Sequence, residues 1–288
     1  MRRNIHLSLC SSGGNSEQKR NSKNDRTNAL ASIRKLRGKF HTPRGFCLKR
    51  ILTPMHRKPE VVFLFDVDNT LLDNDRVLDD LRNHLEHEFG AETRDRYFAI
   101  LEELYDELGY ADYLGALQRY RLEDVCDPRL LMMSSFLVDY PFANRLYPGT
   151  LAALAHVRPW GATVILSDGD VVFQPRKVQR SGLWEAVEGR VLIYTHKEQM
   201  LEDVERRYPA RHYVMVDDKL RILTAMKKIW GERLTTVWPR QGHYALDPKT
   251  FAAHTPADLT VEFIGDLVNY GLTALLGANA GRSTELRV

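Results

Sequence analysis

The residues best suited to chemistry stand at the end of an apolar run. Val61-Val62-Phe63-Leu64-Phe65 stops at Asp66-Val67-Asp68-Asn69-Thr70, two carboxylates two positions apart followed by a hydroxyl. A short apolar run of this kind reads as a strand buried on both faces. Acids just beyond it lie outside the strand's carboxyl edge, where open α/β sheets bind ligands. In extended chain, positions i and i+2 point the same way, so Asp66 and Asp68 can share one site. Paired carboxylates repel unless a divalent cation lies between them or one keeps its proton. Asp also favours turns and helix N-caps, so the pair alone is equally a turn signal.

The elements that must position these acids follow from periodicity. From Asp73 to about Arg145 the spacing is helical. Val77, Leu81, Leu85 and Phe89 make one stripe, and Tyr97, Ile100, Leu101, Leu104, Tyr105 and Leu108 a second. Tyr113, Leu114, Leu117 and Tyr120 begin a third, and Leu130 to Val138 is a fourth, more uniformly apolar segment. Such stripes are core faces of a small helical bundle. Strand and helix then alternate. Strands are expected at 162–166, 191–194, 212–216, 234–238 and 259–261. Helices are expected at 149–158, up to Ser181, at 197–208, up to Trp230 with Gly231 as the stop, and from about Phe263. Alternation of this kind predicts right-handed βαβ units and a parallel sheet. The fold class is therefore α/β, a doubly wound, Rossmann-like parallel sheet with an α-helical cap inserted after the first strand. Residues 59–72 and 146–278 form the core, 73–145 the cap and 279–288 a tail.

Four features then fall at strand ends: Asp66/Asp68, Ser167, Lys197 and the pair Asp217-Asp218. Phosphoryl transfer calls for these types. A carboxylate attacks phosphorus, Mg²⁺ on hard oxygen ligands and a lysine neutralise the anionic substrate, and a hydroxyl with backbone N–H groups cradles the phosphoryl oxygens. A second acid protonates the leaving oxygen and later activates water. Alternatives stand beside each assignment. Ser167 and Thr70 can bond local backbone. Asp217-Asp218 can cap a helix. Lys177 and Lys219 rival Lys197, which is preferred because it directly follows the third strand. Asp73 and Asp170 read as turn or cap residues.

In these motifs the sequence resembles the haloacid dehalogenase-like (HAD) superfamily over about residues 60–275. Asp66-Val67-Asp68-Asn69-Thr70 matches the first motif, Ser167 the second, Lys197 the third and Asp217-Asp218 the acidic fourth. The resemblance implies that Asp66 is the nucleophile, forming an aspartyl-phosphate. It makes Asp68 the general acid/base, lending its backbone carbonyl to Mg²⁺. Thr70, Ser167, Gly169 and Lys197 would bind the substrate phosphate, and Asp66, Asp68, Asp217 and Asp218 the metal. The family's dehalogenases lack the second acid, so Asp68 favours a phosphatase or phosphomutase. The expected function is Mg²⁺-dependent hydrolysis of a phosphate monoester of a small metabolite or nucleotide. A phosphomutase of the same fold, or a catalytically silent binding protein, is the alternative. The cap should set specificity; Arg119, Arg121 and Arg129 are candidates there, although solvated surface arginines are the blander reading.

Charge divides the chain. Residues 1–58 hold 15 Lys or Arg against two acids, Glu17 and Asp25, and so carry +13; the chain total of +3 leaves −10 on the other 230 residues. The basic segment has no apolar period and reads as a flexible, disordered arm. It could meet nucleic acid or anionic lipid, serve as a transit peptide, or stand outside the functional protein; Met55, six residues before the first strand, is where a compact chain would begin. An acidic body argues against a broad nucleic-acid surface. Cys10, Cys47 and Cys126 have no metal-ligand spacing, which fits a reducing compartment. No apolar stretch approaches the ~20 residues of a membrane helix. The expected setting is cytoplasmic, without a membrane partner.

Overall fold

The structure, a computed structural model, describes residues 60–123 and 129–277. The expected arm at 1–58 and the whole of the expected tail at 279–288 lie outside them, as does Cys126. Six parallel strands form one sheet in the order β3-β2-β1-β4-β5-β6: β1 Val61–Phe65, β2 Ala162–Asp168, β3 Val191–Tyr194, β4 His212–Val216, β5 Leu234–Pro239 and β6 Leu259–Val261. This is the Rossmann-like, doubly wound arrangement expected from the alternation. All five β1 residues are buried. Val61, Phe63 and Phe65 pack into one hydrophobic cluster, and Val62 and Leu64 into another with Tyr213, Met215 and Trp230. The central strand thus has apolar side chains on both faces because helices cover both.

Between β1 and the core helix α5 (Thr150–Val157) lie four helices: α1 Asn74–Phe89, α2 Ala91–Leu108, α3 Tyr113–Glu123 and α4 Leu130–Asp139. Most of each stripe is buried, Val77, Leu81 and Leu85 in α1 and Tyr97, Ile100, Leu101 and Leu104 in α2, while Tyr105 of α2 and Leu131 and Met132 of α4 are exposed. Asp73 caps α1, its Oδ1 accepting from the Arg76 N–H at 3.0 Å. The chain leaves and re-enters the sheet side by side: Asp73 N donates to Arg145 O at 2.7 Å and Tyr147 N to Leu71 O at 3.0 Å.

The remaining elements are α6 Phe173–Arg180, α7 Leu183–Ala186, α8 Leu201–Arg207, α9 Leu220–Trp230, α10 Gly242–Leu246, α11 Pro248–Ala253 and α12 Leu272–Leu275. Two expectations are corrected. The helix foreseen from about Phe263 is a 3-10 segment, Ile264–Asn269, followed by the single turn of α12. Gly265 and Gly271 weaken α-helix there, and the Asp266 carboxylate accepts from the Phe263 N–H at 2.9 Å, tightening the first turn. The helix foreseen over 197–208 opens with a 3-10 turn, Lys197–Gln199, before α8. Its cause lies in the site: the Lys197 N–H donates to Asp168 Oδ1 at 2.7 Å while the side chain turns inward. Among the described residues no helix is long and apolar enough to cross a membrane.

Candidate active site

Strand register brings the chemical residues to one edge. Phe65 is level with Ile165 of β2 and Val216 of β4, so Asp66 and Asp217 emerge together, with Ser167 two residues past Ile165. Asp66 extends the ladder by donating its N–H to Val216 O at 3.0 Å. β1 lies where the sheet's winding reverses, the place where such sheets bind ligands.

Asp66 is buried. Its Oδ1 receives the Lys197 ammonium and, at 3.3 Å, the Ser167 hydroxyl; neither bond uses Oδ2. Lys197 also lies 2.7 Å from Asp217 Oδ2 and donates to Leu166 O at 3.3 Å. The Asp217 contact is an ion pair without hydrogen-bond direction, so that oxygen has a charge partner but no hydrogen bond. Burial disfavours a charged Lys197, yet the carboxylates of Asp217, Asp66 and Asp168 outweigh it and hold its pKa above the usual lysine range. The opposite holds for the acids. Burial, with repulsion from Asp66, raises Asp217 to about 6 against the pull of Lys197. Asp218 is pushed well above the carboxylate range, first by burial and then by Asp217 and Asp66.

Neither carboxylate oxygen of Asp218 has a hydrogen-bond partner, although the residue is fully buried. Orphaned buried carboxylate oxygens are costly and need an explanation. Ligand atoms of Asp66, Asp217 and Asp218 lie within 4.8 Å of one another. Hard oxygen donors gathered in this way fit Mg²⁺. Asp68 stands outside that carboxylate group. Its Oδ1 accepts from Lys177 Nζ at 2.6 Å and its Oδ2 from Gln174 Nε2 at 3.3 Å.

Two residues expected to bind phosphate are otherwise engaged. Thr70 is fully buried and its hydroxyl accepts from the Asp218 N–H at 2.9 Å, so it supports the acidic pair from beneath. Gly169 spends its N–H on Tyr194 O at 2.9 Å. Its missing side chain matters instead, because a Cβ there would lie 2.7 Å from Gln174 Cβ. Ser167 and Lys197 do face Asp66. Of the rival lysines, Lys177 reaches Asp68, and Lys219 lies over the Tyr244 ring, 4.9 Å from its centroid. Burial works against the charge of Lys219, but Asp218 and Asp66 raise its pKa. Asp170 is a turn residue leading into α6, its Oδ1 accepting from the Val172 and Phe173 N–H groups at 2.7 Å.

Sequence reasoning missed Asp168, Gln174, Asn74 and the role of Lys177. No spacing signal marks them; each acts through a partner distant in sequence. A cleft of about 550 Å³ opens from Asp68 between the sheet edge and the helical insertion, lined by Phe98, Tyr105, Tyr110 and Tyr113 on one side and Lys219 and Tyr244 on the other. Arg119, Arg121 and Arg129 do not line it. Arg119 pairs instead with Glu107 at 2.9 Å, and Arg129 lies over the Phe89 ring.

The haloacid dehalogenase-like hydrolase family model matches residues 61–229. The chain belongs to this family. A haloacid dehalogenase-like hydrolase from Burkholderia xenovorans LB400 is 70% identical over 75% of this chain and 99% of its own, with a TM-score of 0.73. The family's fold also appears in an L-2-haloacid dehalogenase at 19% identity, covering 73% of this chain and 98% of its own with a TM-score of 0.54. It appears again in a magnesium-bound HAD hydrolase from Bacillus subtilis at 15% identity, covering 74% and 98% with a TM-score of 0.50. No curated protein matches the chain. The family makes this a hydrolase, with the sheet-edge residues as its candidate centre.

Proposed function

We propose that this hydrolase is a Mg²⁺-dependent phosphatase acting on a small phosphate monoester, a metabolite or nucleotide, in the cytoplasm. One observation carries the reading: a second acid, Asp68, stands beside the nucleophile on the cleft side. The Asp68 side chain is 27% exposed against 8% for Asp66, so it can meet a leaving oxygen that Asp66 cannot.

The chemistry follows from the positions. Asp66 Oδ2 attacks phosphorus, forming the aspartyl O–P bond as the ester P–O bond breaks with its electron pair on the leaving oxygen. Asp68 gives that oxygen a proton, and the alcohol departs. Lys197 and Ser167 hold the transferring phosphoryl oxygens. Asp68, now deprotonated, takes a proton from water; the hydroxide attacks phosphorus, the aspartyl bond breaks, and inorganic phosphate leaves. Mg²⁺ held by Asp66, Asp217 and Asp218, with the Asp68 backbone carbonyl, would supply positive charge against the phosphoryl group. The four-helix insertion acts as a cap, and its paired connections at Leu71–Asp73 and Arg145–Tyr147 let it close and exclude bulk water.

A single turnover in ¹⁸O-water distinguishes this from dehalogenation and from phosphoryl migration. The expected label is in released phosphate. Label in the Asp66 carboxylate would mean that water attacked carbon. Phosphate moved within the substrate, with none released, would mean a mutase.

A further inference from the structure

Lys177 is fully buried, and the chemistry described above does not use it. It lies in the middle of α6, where a helix facing apolar side chains would ordinarily present an apolar residue. A buried lysine is tolerated only with partners, and it has two. Its Nζ donates to Asp68 Oδ1 at 2.6 Å and to Asn74 Oδ1 at 3.0 Å. The rings of Phe173 and Tyr113 flank it, their centroids 5.2 and 5.8 Å from Nζ.

The two partners belong to different parts of the molecule. Asp68 follows the central strand, whereas Asn74 is the first residue of α1 in the insertion. Asn74 Nδ2 donates in turn to the Tyr113 hydroxyl at 3.1 Å, and Tyr113 O accepts from Tyr97 OH at 2.9 Å, so the chain of bonds runs into α3 and α2. Gln174, one turn before Lys177, holds the other Asp68 oxygen and also donates to Ser167 Oγ at 3.0 Å.

We propose that Lys177 is the positioning residue of Asp68, and that through Asn74 it makes the orientation of the acid/base depend on the helical insertion being seated on the sheet. The proposal rests on the phosphatase reading. A carboxylate gripped on both oxygens by α6 keeps its rotamer while substrate enters and alcohol leaves. When the insertion lifts, Tyr113 leaves both the Asn74 side-chain amide and the Lys177 ammonium, so the Asn74 side chain no longer holds the lysine in place, and the lysine is free to drag Asp68 out of line. Proton delivery is thereby confined to the closed state, in which bulk water is excluded.

The test is leaving-group dependence in Lys177→Met, a near-isosteric change. Phosphate monoesters running from 4-nitrophenyl through phenyl to alkyl are turned over with Mg²⁺. General acid help is worth about 10²-fold or more for a poor leaving group and little for a good one. The expected result is a kcat loss of about 10²-fold for alkyl esters and under about 5-fold for the 4-nitrophenyl ester, with KM nearly unchanged. Asn74→Ala, which removes only the link to the insertion, should steepen the same dependence less, and it carries the test if the methionine variant fails to fold. An equal loss across all leaving groups, or a wild-type slope in Asn74→Ala, overturns the proposal. A wild-type protein that hydrolyses none of these esters overturns the phosphatase reading first, and this proposal with it.

Discussion

At the scale of single residues, the site is a charge problem solved by pairing. Asp66 carries its lysine and its serine hydroxyl on one oxygen, which leaves the other for the proposed attack. Asp66→Asn preserves shape and removes the anion. It should cut kcat by more than about 10³-fold while leaving the melting temperature within a few degrees. A residual rate above about a tenth of wild type, less than ~1.4 kcal/mol of barrier, would disprove the assignment. The acids were legible because an apolar run ending in Asp-x-Asp is a local pattern. Ser167 and Lys197 were legible from their places after strands. Thr70 and Gly169, expected at the phosphate, have other partners here, because sequence shows that a hydroxyl or an N–H exists and not which neighbour takes it. The Asp218 N–H takes Thr70 Oγ1, and Tyr194 O takes the Gly169 N–H. Lys177 was hidden for a related reason: inside a helix pattern, nothing distinguishes a solvated lysine from one turned into the protein.

At the scale of elements, β1 to β6 and α1 to α4 stand close to where periodicity put them, since burial of a face is what both the pattern and the fold express. The segment after β5 was not read at all, although Asp247 before Pro248 is a helix-start signal, and Asp247 Oδ1 does accept from the Lys249 N–H at 2.9 Å. That segment matters to the site because it presses on the turn that follows Asp68. Gly242 has φ +68°, and a Cβ there would lie 2.5 Å from Asn69 Cβ. Asn69 in turn accepts the Asn74 N–H at 3.0 Å and the Asp75 N–H at 3.2 Å, so it fixes the start of α1. The His243 N–H donates to Asp75 Oδ2 at 2.8 Å, tying the same helix start to the loop. Gly242→Ala should therefore cost about 1–3 kcal/mol in urea unfolding through backbone strain and the forced shift. It should also raise KM, because the insertion loses its seat. Unchanged stability and KM would show that the loop moves freely.

At the scale of the whole molecule, charge is divided between +13 on residues 1–58 and −10 on the remainder. Residues 1–58 show no apolar period in sequence, so deleting residues 1–54 is expected to leave kcat and melting temperature nearly unchanged; a large loss of either would overturn that expectation. Global stability should instead answer to the buried acids. Asp217 is raised to about 6 and Asp218 well above the carboxylate range, burial being the first cause in each. The native state then holds protons that the unfolded chain has released, from about pH 4 upward. Stability falls with rising pH wherever the native state binds more protons. Metal-free protein should therefore weaken as pH rises from about 4, the Asp217 share being complete just above about 6 and the Asp218 share continuing higher. Lys197 and Lys219, both raised, keep their charge throughout this range; Asp168, raised by burial, adds to the fall, while His84 and His212, lowered by burial, oppose it up to about pH 6.5. On the proposed reading Mg²⁺ meets the deprotonated carboxylates and favours the native state by mass action. Its stabilisation should accordingly be larger at pH 8 than at pH 5, seen as a greater rise in melting temperature on replacing chelator with Mg²⁺, at roughly 2–4 °C per kcal/mol. An equal rise at both pH values, or a larger one at pH 5, would mean that these carboxylates are not what the metal meets.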